Sequence, residues 1–135
     1  MKCKLVFISC LLLLCGSFGY AQNGWKAGTA RVAITPKQPI WMGGFASRDK
    51  VSESVMHDLW AKALAVEDAD GKKALLVTMD LLGISKTLSD GIRQALLTKY
   101  GLTKGQVILS TSHTHSGPVL DNALIDIYPL TDAQS

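Results

Sequence analysis

Two short apolar runs separated by one helical stretch leave this chain little choice of architecture. Residues 74–79 (Ala-Leu-Leu-Val-Thr-Met) and 106–111 (Gln-Val-Ile-Leu-Ser-Thr) are too short for helices and largely apolar, so both read as strands. Between them Leu88, Ile92, Ala95, Leu96 and Tyr100 recur at helical spacing. Ser85 can cap the start and Gly101 supplies the stop, which predicts a helix over residues 85–100. Gly91 weakens it by up to about 1 kcal/mol without ending it. Strand, helix, strand in that order implies a right-handed crossover between parallel strands. Upstream, residues 58–67 allow helix or strand, but the turn signal Asp68-Ala69-Asp70-Gly71 joins them to the run at 74–79 and favours a hairpin. The run at 74–79 is apolar on both faces, as in a strand buried between layers. Residues 25–34 alternate in part and close at Thr35-Pro36, which suits an opening strand. The fold class is α/β: a mixed sheet with a strand-hairpin, then a β-α-β crossover.

The 135 residues leave room for one small domain at most. Lys2 and Lys4, the apolar run from Leu5 to Leu14, and Gly16-Ser17-Phe18-Gly19-Tyr20-Ala21 follow the order of a secretory signal peptide with its cut after Ala21. That divides the chain into a signal peptide over residues 1–21 and a mature part over residues 22–135, exported to the periplasm or secreted. An apolar run of about ten residues falls short of the roughly 20 a membrane-spanning helix needs, so no membrane span is expected. Lipidation at Cys15 is a lesser alternative, since Leu14 is a poor substitute for the small residue such sites prefer. Cys3, Cys10 and Cys15 all lie in the leader, so the mature part carries no thiol, disulfide or cysteine ligand. Removing Lys2 and Lys4 leaves 12 of the 14 basic side chains against 11 acidic ones. Those basic residues are scattered, and nothing points to a nucleic-acid partner.

The chemistry concentrates in Ser110-Thr111-Ser112-His113-Thr114-His115-Ser116-Gly117-Pro118, directly after the last strand. In an extended segment residues i and i+2 point the same way, so His113 and His115 would present two imidazoles on one face. Neutral imidazoles suit zinc or a related divalent ion, because each offers a lone pair without losing a proton. The end of a parallel strand is also where α/β sheets place their sites. Gly117-Pro118 then turns the backbone away. A lone His-x-His also arises as a hydrogen-bonded structural pair, and the spacing leaves that alternative open. Residues 36–54 read as a long loop in which Trp41-Met42-Gly43-Gly44-Phe45 is apolar for a solvated connection. It either lines a site or tucks Trp41 and Phe45 under the core.

The run Thr111-Ser112-His113-Thr114-His115-Ser116-Gly117-Pro118 closely resembles the Thr-His-Thr-His-Ser-Gly-Pro motif of the neutral/alkaline non-lysosomal ceramidase family. Other segments agree in order. Ala27-Gly28-Thr29-Ala30-Arg31-Val32-Ala33-Ile34-Thr35-Pro36 is similar to that family's opening strand. Met42-Gly43-Gly44-Phe45 resembles its Met-Gly-Tyr loop, with an added Gly and Phe for Tyr. His57-Asp58-Leu59-Trp60-Ala61-Lys62-Ala63-Leu64 resembles its Leu-Tyr-Ala-Arg-Ala-Leu segment, and Val77-Thr78-Met79-Asp80 its strand ending in Asp. The resemblance implies a zinc (Zn2+) amidase that cuts ceramide, or a related acylated amine, into sphingosine and a fatty acid. It implies His113 as a metal ligand and His115 as a catalytic residue beside the metal. It implies a lipid-like amide as partner, with which peripheral membrane contact is compatible. It also implies that this chain is the N-terminal, truncated part of a larger layered α/β catalytic domain. The family's remaining ligands, a second His, a Glu and a Tyr, lie further along its chain; Tyr128 is too near the motif to be that Tyr. The 135 residues alone are therefore expected to be inactive.

Several residues carry a plainer reading beside a functional one. His57-Asp58 is expected to be a solvated pair. Asp80 either orients a ligand histidine or caps the following turn. Trp41, Phe45 and Trp60 could wall an acyl chain, though core packing is the commoner fate of such side chains. Asp121, Asn122 and Asp126 match no calcium-loop spacing. Two competing functions remain: a non-catalytic secreted lipid- or glycan-binding relative, and another metal hydrolase with His-x-His on a strand. The second normally places a further His or Asp nearby, and residues 119–135 hold no His.

Overall fold

The computed structural model describes residues 24–120. The stretch expected to be a signal peptide, with the three cysteines, lies outside the described residues, as do Asp121, Asn122, Asp126 and Tyr128. Four strands form one sheet in the order β1-β2-β3-β4: β1 (Lys26–Ala33), β2 (Trp60–Glu67), β3 (Lys73–Met79) and β4 (Val107–Thr111). One helix, α1 (Lys86–Tyr100), and a 3-10 turn (Lys104–Gln106) connect β3 to β4. β1 and β2 run antiparallel from Lys26 opposite Glu67 to Ala33 opposite Trp60. β2 and β3 are antiparallel, and β3 and β4 parallel, with Leu75 opposite Val107 and Met79 opposite Thr111. The hairpin-then-crossover arrangement is thus the one the sequence predicts.

Local chemistry explains each join. At the β2–β3 turn the Asp68 carboxylate accepts the amides of Asp70 and Lys72 at 3.0 and 2.8 Å, and Gly71 takes a φ of +79° that a side chain would resist. Ser85 caps α1 by accepting the Leu88 amide at 3.1 Å, and Gly101 ends it at φ +68° while donating to the Leu97 carbonyl. Arg93 reaches from α1 to the carbonyls of Lys104 and Val107 at 3.1 and 2.7 Å. Gln106 then donates to the Lys73 carbonyl, so the starts of β3 and β4 are held level.

The burial departs from expectation at β3. Period-two alternation puts Leu75, Val77 and Met79 on one face, and Ala74, Leu76 and Thr78 on the other. Leu96, Tyr100 and Leu102 line a cavity with Leu75 and Val77, so the crossover covers that face. The opposite face has no covering layer among the described residues: Leu64, Leu76 and Ile108, aligned across three strands, are 38, 36 and 60% exposed. One face of β3 is therefore open where two covered faces were expected. The buried residues are Gly43, Met79, Leu81, Val107, Gly117, Pro118 and Val119. Apart from Val107 they gather where β3 and β4 end, beneath the histidine turn.

Candidate metal and catalytic site

The chain leaves β3 at Asp80 and β4 at Ser112, and the two exits are stitched together. The Ser112 amide donates to the Met79 carbonyl at 2.9 Å. The Asp80 carboxylate accepts the Trp60 amide at 3.0 Å, and the Asp80 amide donates back to the Trp60 carbonyl. Asp80 thus ties β3 to β2 and contacts neither histidine; of the two expected roles the structure takes neither, spending the carboxylate on a strand end.

His113 and His115 come together with ring centroids 5.3 Å apart at an interplanar angle of 62°. The route differs from the extended one. β4 stops at Thr111, and His113 has a φ of +55°, a left-handed conformation rare for a residue with a side chain. A turn, rather than strand alternation, brings the rings to one place. His113 is exposed, and its Nδ1 lies 3.0 Å from the Leu82 carbonyl oxygen. A carbonyl only accepts, so Nδ1 is the donor in this contact, and in the neutral imidazole Nε2 then offers the lone pair. That hydrogen bond is the kind that orients metal-binding histidines. The chemistry of this donor fits one position of a zinc site. Among the described residues no group of three or more His, Cys, Asp or Glu could hold a metal, so the rest of such a set is not among them.

His115 is half-buried in a cradle made by the loop after β1. The Gly43 amide donates to the Gly117 carbonyl at 3.0 Å, Met42 bridges Pro118, and the Val119 amide donates to the Trp41 carbonyl at 2.9 Å. This short antiparallel pairing lays Gly44 against the His115 ring: a methyl at Gly44 would lie 2.3 Å from the ring Cγ. Gly44 has φ +102°, which also demands glycine. Phe45 stands edge-on to His115 with centroids 4.7 Å apart, and Arg48 Nη2 donates to the His115 carbonyl at 2.6 Å. The loop packs against His115, and Phe45 is exposed rather than tucked under the core. Arg48 and the Leu82 carbonyl are the groups that sequence reasoning missed; Gly44 lies in the apolar loop that it singled out.

The remaining candidates spread out. Trp60 lies beneath the Arg31 guanidinium, 4.5 Å from its ring centroid, on the open sheet face. The Asp58 carboxylate accepts the Thr35 hydroxyl at 2.9 Å, which in turn accepts the Leu59 amide. His57 is exposed and borders a cleft of 520 Å³ with Ile40, Met42, Val55, Thr114 and Ser116, on the flank of the turn. No helix among the described residues is long and apolar enough to cross a membrane.

Residues 25–130 match the family model described as neutral/alkaline non-lysosomal ceramidase, N-terminal. Over 111 residues the chain is 29% identical to neutral ceramidase 1 of Arabidopsis thaliana, covering 80% of this chain and 14% of that protein. Over 118 residues it is 30% identical to the neutral ceramidase of Drosophila pseudoobscura pseudoobscura, covering 85% of this chain and 17% of that one. The crystal structure of neutral ceramidase from Pseudomonas aeruginosa superposes with a TM-score of 0.66 at 27% identity, over 71% of this chain and 16% of that one. The chain spans less than a fifth of the length of these relatives. With that match across nearly all of the described residues, the chain belongs to the neutral/alkaline non-lysosomal ceramidase family, in its N-terminal region.

Proposed function

We propose that the complete protein carrying this chain hydrolyses the N-acyl amide bond of ceramide, or of a closely related acylated amine, with zinc as its cofactor and after export by its leader. The observation that carries this reading is the placement of the His113 ring. Its Nδ1–H is committed to the Leu82 carbonyl, which leaves Nε2 as an outward-facing ligand beside a second imidazole. When bound, zinc supplies Lewis acidity, which polarises an amide carbonyl and acidifies water. His113 would hold it through Nε2. His115 has its ring fixed by Gly44 and Phe45, and would place a hydrogen bond on the attacking water or on the developing oxyanion. Ceramide-type substrates follow from the names of the relatives, which are neutral ceramidases. Contact with a lipid surface is compatible with such a substrate.

Amide hydrolysis is proposed of the complete protein. The 135 residues alone are proposed to be inactive, since three histidines do not make a four-ligand zinc site and one of them, His57, lies outside the turn. The first test is His113→Ala in the complete protein, measuring zinc per folded molecule and release of fatty acid from ceramide. Loss of zinc and of hydrolysis together is expected; full zinc content in the variant would remove His113 from the ligand set. Ceramide binding without turnover by the zinc-loaded wild type would favour the non-catalytic lipid-binding reading.

A further inference from the structure

We propose that Arg48 is a positioning residue of this site, holding the turn that carries His115 by its main chain. The inference deepens the amidase reading and rests on it for the term site.

Three observations converge on Arg48. Its Nη2 donates to the His115 carbonyl at 2.6 Å, a short bond in which the donor carries the charge. Such bonds are roughly twice as strong as neutral ones. The two residues are 67 apart in sequence, so the bond joins separate segments rather than closing a local turn. The guanidinium carbon also lies 5.3 Å from the centroid of Phe45, whose own ring meets the His115 imidazole at 4.7 Å. Arg48 therefore acts on residue 115 twice, directly at the carbonyl and indirectly through the aromatic wall. The third observation is a cost. Arg48 Nε is buried with no hydrogen-bond partner among the described residues. A buried unpaired donor on a charged group is unfavourable, and it persists where the group makes a compensating bond elsewhere. The bond made here ends on His115.

The geometry also explains why the residue is arginine. Holding a carbonyl with one arm while lying against a phenyl ring uses a planar, delocalised cation. A lysine ammonium could make the first contact but would meet the ring as a compact point charge rather than as a plane. With the carbonyl released, the turn between Thr114 and Gly117 could rotate and carry the imbedded imidazole with it. Displacements near 1 Å at a reacting centre cost about 100-fold in rate.

The test is Arg48→Gln and Arg48→Lys in the complete protein, with folding followed by circular dichroism and zinc by mass spectrometry. For folded, zinc-loaded Arg48→Gln, kcat on a ceramide substrate should fall about 10- to 100-fold with KM changed less than about threefold. Arg48→Lys should recover part of that loss. Histidine-selective nitrogen NMR supplies a readout independent of turnover: the His115 ring signals should shift or broaden in Arg48→Gln, while those of His57 stay in place. A lowered melting temperature with unchanged kcat per folded molecule would reduce Arg48 to a structural tie and overturn the proposal. If the wild type hydrolyses no amide, the functional reading fails, and the NMR arm decides on Arg48 alone. Unmoved His115 signals there overturn it too.

Discussion

At the scale of single residues, the contact between Gly44 and His115 is the tightest constraint in the site. A methyl at residue 44 would sit 2.3 Å from the imidazole, and the backbone there has φ +102°. Gly44→Ala must therefore strain the backbone, by about 1–3 kcal/mol, and push the ring away. The expected outcome is a modest fall in denaturant midpoint with a much larger fall in hydrolysis, read by urea titration and by assay on the same preparation. Equal losses in both would mean that the glycine serves only the fold. The histidine pair was legible from spacing, because His-x-His keeps two imidazoles within reach in an extended chain and also in the turn found here. The +55° φ of His113 was not legible, since a single left-handed residue leaves no periodic signal in the sequence. Arg48 left no sequence signal either: its target is a main-chain oxygen, which every residue possesses.

At the scale of elements, the strands and helix could be read because their signals are local. Ser85 and Gly101 bracket α1, and the Asp68 carboxylate with Gly71 makes the β2–β3 turn. What could not be read was the pairing of residues 41–43 with 117–119, where no periodicity operates and the partner is far along the chain. Cross-strand charge adds a tie at the other end of the sheet. Lys26 on β1 bonds the Glu67 carboxylate on β2 at 2.9 Å, and Lys73 on β3 approaches it at 3.7 Å. The hydrogen bond and charge of Lys26, with a smaller push from Lys73, hold the Glu67 carboxyl below its ordinary value of 4.5. A lowered folded-state pKa gives stabilisation that is complete above the unfolded value and lost as pH falls through the folded one. Stability should thus be flat with respect to this group above about pH 4.5 and decline below it. Glu67→Gln should flatten the acid limb of a pH series of thermal melts, and an unchanged limb would show the tie to be idle. High salt should weaken the same contribution, since the pair lies at the surface.

At the scale of the whole molecule, the described residues form one and a half layers. The crossover covers part of one sheet face, and the row Leu64, Leu76, Ile108 lies open on the other. Sheets of this class are ordinarily covered on both faces. The run at 74–79 carries side chains suited to two covers and meets one among the described residues. An apolar environment-sensitive dye should accordingly bind a chain of residues 24–120, and Leu76→Ser with Ile108→Ser should cut that fluorescence severalfold. Equal fluorescence from the double variant would place the dye elsewhere. A different consequence follows from the pairing of Met42 with Pro118. The walls of the histidine site come from stretches that bracket β2, β3 and β4 in sequence, so a folding chain must close that long loop before His115 acquires its floor. Ligand capture by the histidine turn should then be a late event in folding. The proposed zinc would mark molecules in which residues 41–43 and 117–119 have already met.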